Sequence, residues 1–170
     1  LKAFVVEPTG QGPGPFPLLV MPSSWAVPNI EYVGAAAKLA KESGYVVVSY
    51  TSRGFWDSGG EIDIAGPDTV GDVSKVIDWA IANQKRFNIR VMNLSLGTPV
   101  RESYHTDPLC KAVERAVLAG IVVVAAAGNE GRTEEIVGYK PNGDPLYRPA
   151  FGAIHSPGNS PYAITVGASD

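Results

Sequence analysis

Short, nearly unbroken apolar runs recur along the chain at residues 18–21 (LLVM), 45–50 (YVVVSY), 89–94 (IRVMNL), 121–127 (IVVVAAA) and 163–168 (AITVGA). Runs of this length, closed by Pro or Gly, predict strands buried on both faces of a sheet. Between them the apolar positions shift to helical spacing. Ile30, Val33, Ala36, Ala37, Leu39 and Ala40 share one face, with Asn29 placed to cap the helix and Gly44 to stop it. Val70, Val73, Val76, Ile77, Trp79 and Ala80 predict an inward-facing helix over residues 68–83. A third helix, over 107–119, has Thr106 or Asp107 as its cap, Pro108 in its first turn and Gly120 at its end. Residues 1–7 form a β-rich run, followed by a loop in which Gly and Pro alternate, which reads as an edge strand and its connection.

Strands separated by helix-length crossovers predict a mostly parallel sheet covered on both faces. With right-handed crossovers, the runs at 18, 45, 89, 121 and 163 take a flavodoxin/Rossmann-like order with the first strand central. The expected fold class is therefore α/β, a single-domain three-layer α/β/α sandwich spanning residues 1–170. Ligands on such sheets bind beyond the carboxyl ends of the strands. The loops of interest begin at Pro22, Thr51, Ser95, Gly128 and Ser169. Residues 130–160 are polar, rich in Gly and Pro, and long for a plain connection, so part of this stretch should form a hairpin or surface lobe.

Composition narrows the function. The 170 residues are 45% hydrophobic and 18% charged, enough for one packed core, and the net charge is -3. Such a balance gives no basic field for nucleic acid. No run reaches the ~18 apolar residues of a membrane span, so a soluble protein without a membrane partner is expected, its compartment undetermined. The single cysteine, Cys110, rules out an internal disulfide and lies in a helical pattern, as a buried structural thiol would. His105 and His155 are the only histidines; they sit in polar loops, read as solvated, and lack metal-ligand spacing. No metal or other cofactor is expected. The Gly-rich loops at 54–60 and 128–131 match neither phosphate-binding pattern.

Two resemblances meet in the middle of the chain. Residues 1 to about 80 resemble an α/β-hydrolase of the X-prolyl dipeptidyl-peptidase and cocaine-esterase type, through LLVMPSSWAVPNIEY, YVVVSYTSRGFWDSGGE and AGPDTVGDVSKVIDWA. Residues from about 77 to 170 resemble the middle of a subtilisin-like serine peptidase, through IDWAIANQKRFNIRVMNLSLG, AVERAVLAGIVVVAAAGNEG and AIHSPGNSPYAITVGASD. The helix over 72–83 suits both families. The resulting reading is a chimera joined at a shared βαβ unit, built deliberately from two hydrolases, with residues 1–80 from one and 81–170 from the other. Surfaces exposed by cutting the parents favour a homodimer.

The resemblances also propose roles. By the subtilisin-like match, Ser95, Leu96 and Gly97 line one side of a substrate cleft and Ala126, Ala127 and Gly128 the other. Asn129 is then the side-chain donor to an oxyanion, and the hydrolase match adds the loop at Trp25. The catalytic Asp, His and Ser segments of the subtilisin-like family have no counterpart here, and neither does the G-x-S-x-G elbow of the other family. NLSLG nevertheless imitates that elbow, with Asn93 in the first glycine position, so Ser95 is the candidate nucleophile, with His105, His155 and Asp170 as candidate partners. Without a base within hydrogen-bond reach a serine hydroxyl is a poor nucleophile. The leading expectation is a recombined domain without activity. The alternatives are a weak serine esterase or peptidase using Ser95, and a module that binds peptides or small ligands in the cleft.

Overall fold

In the computed structural model, residues 1–24, 26–63 and 66–168 are described. The strands are β1 (Lys2–Val6), β2 (Phe16–Pro22), β3 (Val46–Thr51), β4 (Ile89–Leu94), β5 (Val122–Ala126), β6 (Arg132–Tyr139), β7 (Pro145–Pro149) and β8 (Ile164–Val166). The helices are α1 (Val33–Ser43), α2 (Pro67–Ala82), the single turn α3 (Gln84–Phe87) and α4 (Pro108–Leu118). A six-stranded sheet runs in the order β1-β3-β2-β4-β5-β8, and β6 and β7 form a separate antiparallel hairpin within the long 130–160 connection. All neighbours in the large sheet are parallel except edge strand β1, which pairs antiparallel to β3. Setting β1 aside, β2 lies between β3 and β4, as the sequence pattern requires.

The register explains the core. Leu18 and Val20 of β2 pair with Met92 and Leu94 of β4, which pair with Val123 and Ala125 of β5. All six are buried and face α2 and α4, whose inward residues Val73, Ile77, Ala80, Leu109, Ala112, Val113 and Ala116 complete one cluster. Asp78 on α2 and Arg115 on α4 join the outer edges of the two helices (2.8 Å). On the opposite face α1 lays Ala36 and Ala40 over β3, where Val47 and Ser49 are fully buried.

That second face is covered only in part. Beyond α1, Val122 of β5 and Ile164 and Val166 of β8 point away from α2 and α4 and are 46%, 55% and 54% exposed. The expectation of helices on both faces holds over β3 and fails at β5, because the chain leaves β5 for the β6–β7 hairpin instead of a crossover helix.

Local signals account for the helix ends, with one correction. Asp107 caps α4 by accepting from the amides of Leu109 and Cys110, both at 2.9 Å. Gly44 ends α1 in the left-handed conformation, φ 70°. Asn29 does not cap α1. It opens a 3-10 turn that runs through Tyr32, and its own amide donates instead to Thr51 Oγ1 (2.8 Å). The start of α2 is capped from outside: Asp63 accepts from the amides of Asp68 and Thr69 at 3.0 and 3.1 Å. Gly66 must lack a side chain for this, since a β-carbon there would lie 1.8 Å from Asp63 Oδ1. Among the described residues no helix is long and apolar enough to cross a membrane.

Candidate functional site

The two segments expected from the sequence to flank a cleft follow the carboxyl ends of β4 and β5. The chain leaves β4 through Ser95, Leu96 and Gly97, and leaves β5 through Ala127 and Gly128. A loop that precedes β8 closes the space between them. It is tied to the first wall by a two-bond bridge, Thr98 amide to Ser156 carbonyl and back, each 2.9 Å. It is tied to the second by the His155 amide, which donates to the Ala127 carbonyl (2.9 Å). A buried cluster anchors the loop from below: Ser156 Oγ donates to Asp107 Oδ1 (2.8 Å), the same oxygen that caps α4.

His155 is therefore held between these two segments. The sequence reading of a solvated histidine is corrected: its side chain is 15% exposed. A β-carbon on Gly128 would lie 2.7 Å from His155 Cγ, and one on Gly97 would lie 3.0 Å from His155 Cβ. The ring thus rests where two glycines leave room, and no spacing along the chain announces that meeting. Its Nε2 contacts the carboxylate of Glu130. Glu130 thus takes up the Nε2 side of the ring. Glu130, which no motif singles out, also accepts from the Asn129 amide (3.3 Å).

Ser95 lies outside this pairing. It is exposed, and its Oγ accepts a hydrogen bond from Asn93 Nδ2 (2.8 Å). Among the described residues no hydrogen bond joins Ser95 to either histidine. His105 is exposed and stacks on Tyr104 with ring centroids 4.0 Å apart, and its amide donates to Ser103 Oγ (3.3 Å). Asn129 is exposed. Trp25 and Asp170 lie outside the described residues.

Leu96 turns the other way, into an apolar cavity of about 240 Å³ shared with Pro22, Tyr50, Val70, Val73 and Leu109. This cavity lies between elements from the first and second halves of the chain. Burial pushes the Tyr50 hydroxyl well above its usual range, and the nearby Asp72 carboxylate adds to the effect. Asp72 is itself paired with Arg53 Nε (2.7 Å), which fixes the loop after β3 onto α2.

Cys110 adds no nucleophile. It is buried against Ser156 and Asn159, and burial pushes its thiol up to about 11. Iodoacetamide is expected to leave Cys110 unmodified in the folded protein and to alkylate it fully in denaturant, as read by mass spectrometry. Rapid labelling without denaturant would show the thiol to be accessible. Among the described residues no three His, Cys, Asp or Glu side chains are grouped to hold a metal ion.

Comparison with known proteins divides the chain in the same way. The X-Pro dipeptidyl-peptidase (S15 family) model matches residues 1–93, and the subtilase family model matches residues 62–170. The two matches overlap from 62 to 93, a stretch that contains α2, α3 and most of β4. Serine protease AprX of Bacillus subtilis (strain 168) is 37% identical over 110 residues, covering 62% of this chain and 21% of that protein. Subtilisin DY of Bacillus licheniformis is 35% identical over 109 residues, covering 63% and 36%. The chain thus spans between about a fifth and a third of the length of these relatives. Among solved structures, the prenylagaramide maturation protease PagA superposes with a TM-score of 0.51 at 15% identity, over 91% of this chain and 54% of that one. That likeness is one of fold.

Proposed function

Because the chain belongs to the X-Pro dipeptidyl-peptidase (S15) family over residues 1–93 and to the subtilase family over residues 62–170, we propose that it is a recombined α/β domain. In this reading it retains one wall system of a serine-peptidase cleft and performs no acyl transfer by itself. The change of family falls on α2, whose inward face packs on the β2–β3 side of the sheet and against α4. A shared crossover helix of this kind lets one half pass into the other without breaking an element.

One observation carries the reading: among the described residues no hydrogen bond joins the Ser95 hydroxyl to an imidazole, and each has a different partner. Ser95 Oγ is bonded by Asn93, and His155 Nε2 is turned to Glu130. A serine needs a base within about 2.6–3.2 Å to be activated. Asn129 keeps the place of an oxyanion donor, a role worth ~3 kcal/mol only when a tetrahedral intermediate forms. Ser95, Leu96 and Gly97 with Ala126, Ala127 and Gly128 then act as cleft walls.

A fluorophosphonate probe is expected to leave Ser95 unlabelled, and p-nitrophenyl acetate hydrolysis is expected to be the same for the wild-type protein and Ser95→Ala. Stoichiometric labelling that Ser95→Ala abolishes would replace this reading with the weak serine esterase.

A further inference from the structure

The turn that joins β6 to β7 runs through Lys140, Pro141, Asn142 and Gly143. We propose that Asn142 is a site of spontaneous modification: its side-chain amide closes onto the Gly143 nitrogen, loses ammonia and reopens with water to aspartate and isoaspartate, which unfastens the hairpin.

The residue that follows decides which asparagine reacts. Ring closure needs the next backbone nitrogen to reach the Asn Cγ, and a side chain on that next residue stands in the way. Of the asparagines in the chain, Asn142 alone precedes a glycine. The turn requires that pair for its own geometry: Pro141 suits the first corner, and Gly143 takes a left-handed φ of 87° that a β-carbon would strain. Asn142, Gly143 and Asp144 are all exposed. Among the described residues nothing beyond its chain neighbours lies within 4 Å of where a Gly143 β-carbon would stand. Water and base therefore approach freely.

The bonds around Asn142 set the chemistry. Its Oδ1 accepts from the Asp144 amide (3.2 Å), which draws electrons from Cγ, and its Nδ2 donates to the Asp144 carboxylate (2.7 Å). The Gly143 amide donates to the Lys140 carbonyl (2.9 Å), so it must be released before it attacks. That release is a local event, because among the described residues β6 and β7 pair only with each other and a two-stranded hairpin is marginal in water. A base then takes the Gly143 N–H proton, the N–Cγ bond forms, and the Cγ–Nδ2 bond breaks as ammonia departs with a proton from water. Water next adds to one of the two ring carbonyls. Opening at Cγ gives aspartate, and opening at the main-chain carbonyl gives isoaspartate, with one more carbon in the backbone. No oxidant, reductant or enzyme is required. In aspartate the donor to Asp144 has become a second carboxylate beside it, and the like charges repel. In isoaspartate the extra backbone carbon shifts Gly143 away from Lys140. Either product removes a bond that closes the turn, and neither step involves Ser95.

Peptide mapping by mass spectrometry of the full chain, aged in mildly alkaline buffer, tests the site. The peptide that carries Asn142 is expected to gain one dalton, and two more when the ageing is done in heavy-oxygen water, with isoaspartate identified by electron-transfer fragmentation. The other asparagines are expected to stay unchanged over the same period, the conversion to rise with pH, and Asn142→Gln to abolish it. Gly143→Ala should lose most of the conversion, and Ser95→Ala none. In the aged protein, and in Asn142→Asp, amide hydrogen exchange over residues 132–139 is expected to be faster than in fresh protein. An Asn142 that survives while a synthetic peptide of residues 139–146 converts fully, or conversion spread evenly over the other asparagines, would overturn the site. Unchanged exchange in the hairpin after conversion would overturn its unfastening.

Discussion

Asp107→Ala is expected to lower the stability of the fold by about 2–4 kcal/mol, a drop of roughly 5–15 °C in Tm for a chain of this size. One oxygen of Asp107 does three things: it accepts from the amides of Leu109 and Cys110 at the start of α4, and from the hydroxyl of Ser156. Loss of a helix cap costs about 0.5–2 kcal/mol. The hydroxyl left behind is fully buried, and an unsatisfied buried donor adds about 1–3 kcal/mol. Asp107→Asn keeps an acceptor oxygen in place and is expected to recover most of the loss, whereas Ser156→Ala removes only one of the three bonds. Thermal or urea unfolding of these variants separates the contributions. An alanine variant within ~0.5 kcal/mol of wild type would show that α4 and the loop before β8 are not held through this residue. The same substitution is expected to free His155, whose neighbour Ser156 is the anchor, and so to broaden its imidazole resonances.

Much of the sheet was legible because its signals are local or periodic. The apolar runs and the crossover spacing give the strand order, and Asp107 followed by Pro108 announces the start of α4. Asn29 misled because a capping residue is recognised by type, while the 3-10 turn that displaced it depends on how residues 28–32 meet β3. The position of His155 could not be read along the chain. It depends on Gly97 and Gly128, separated from it by many residues, both lacking the β-carbon that would exclude the ring. The pairing of Glu130 with His155 likewise arises only when the loop before β8 folds back on β5. The open face of β5 and β8 was hidden for a different reason: a valine run reads as buried whether or not a helix follows to cover it. Ser95 shows the converse. Its position at the end of β4 was legible, and its chemistry depends on partners that spacing does not specify.

Ile77→Ala is expected to cost about 2–5 kcal/mol, the range for deleting most of a buried aliphatic side chain. Ile77 is fully buried in the middle of α2, in the segment matched by both families. Its neighbours in the cluster include Val46 and Val48 from the first half of the chain and Val113 and Ala116 from the second. The cavity left by alanine would therefore lie between the halves, with a sheet on one side and a helix on the other limiting collapse. Ile77→Val removes one methylene and should cost about 0.5–1.5 kcal/mol. The comparison with Ala36→Gly on α1 is informative, because α1 packs on the opposite face over β3, away from this junction. If the two halves form one cooperative unit, Ile77→Ala shifts a single unfolding transition, seen alike by far-UV circular dichroism and by the fluorescence of the three tryptophans. Two separated transitions, with only the later half of the chain losing amide protection, would mean that α2 joins the halves in sequence without coupling them in stability.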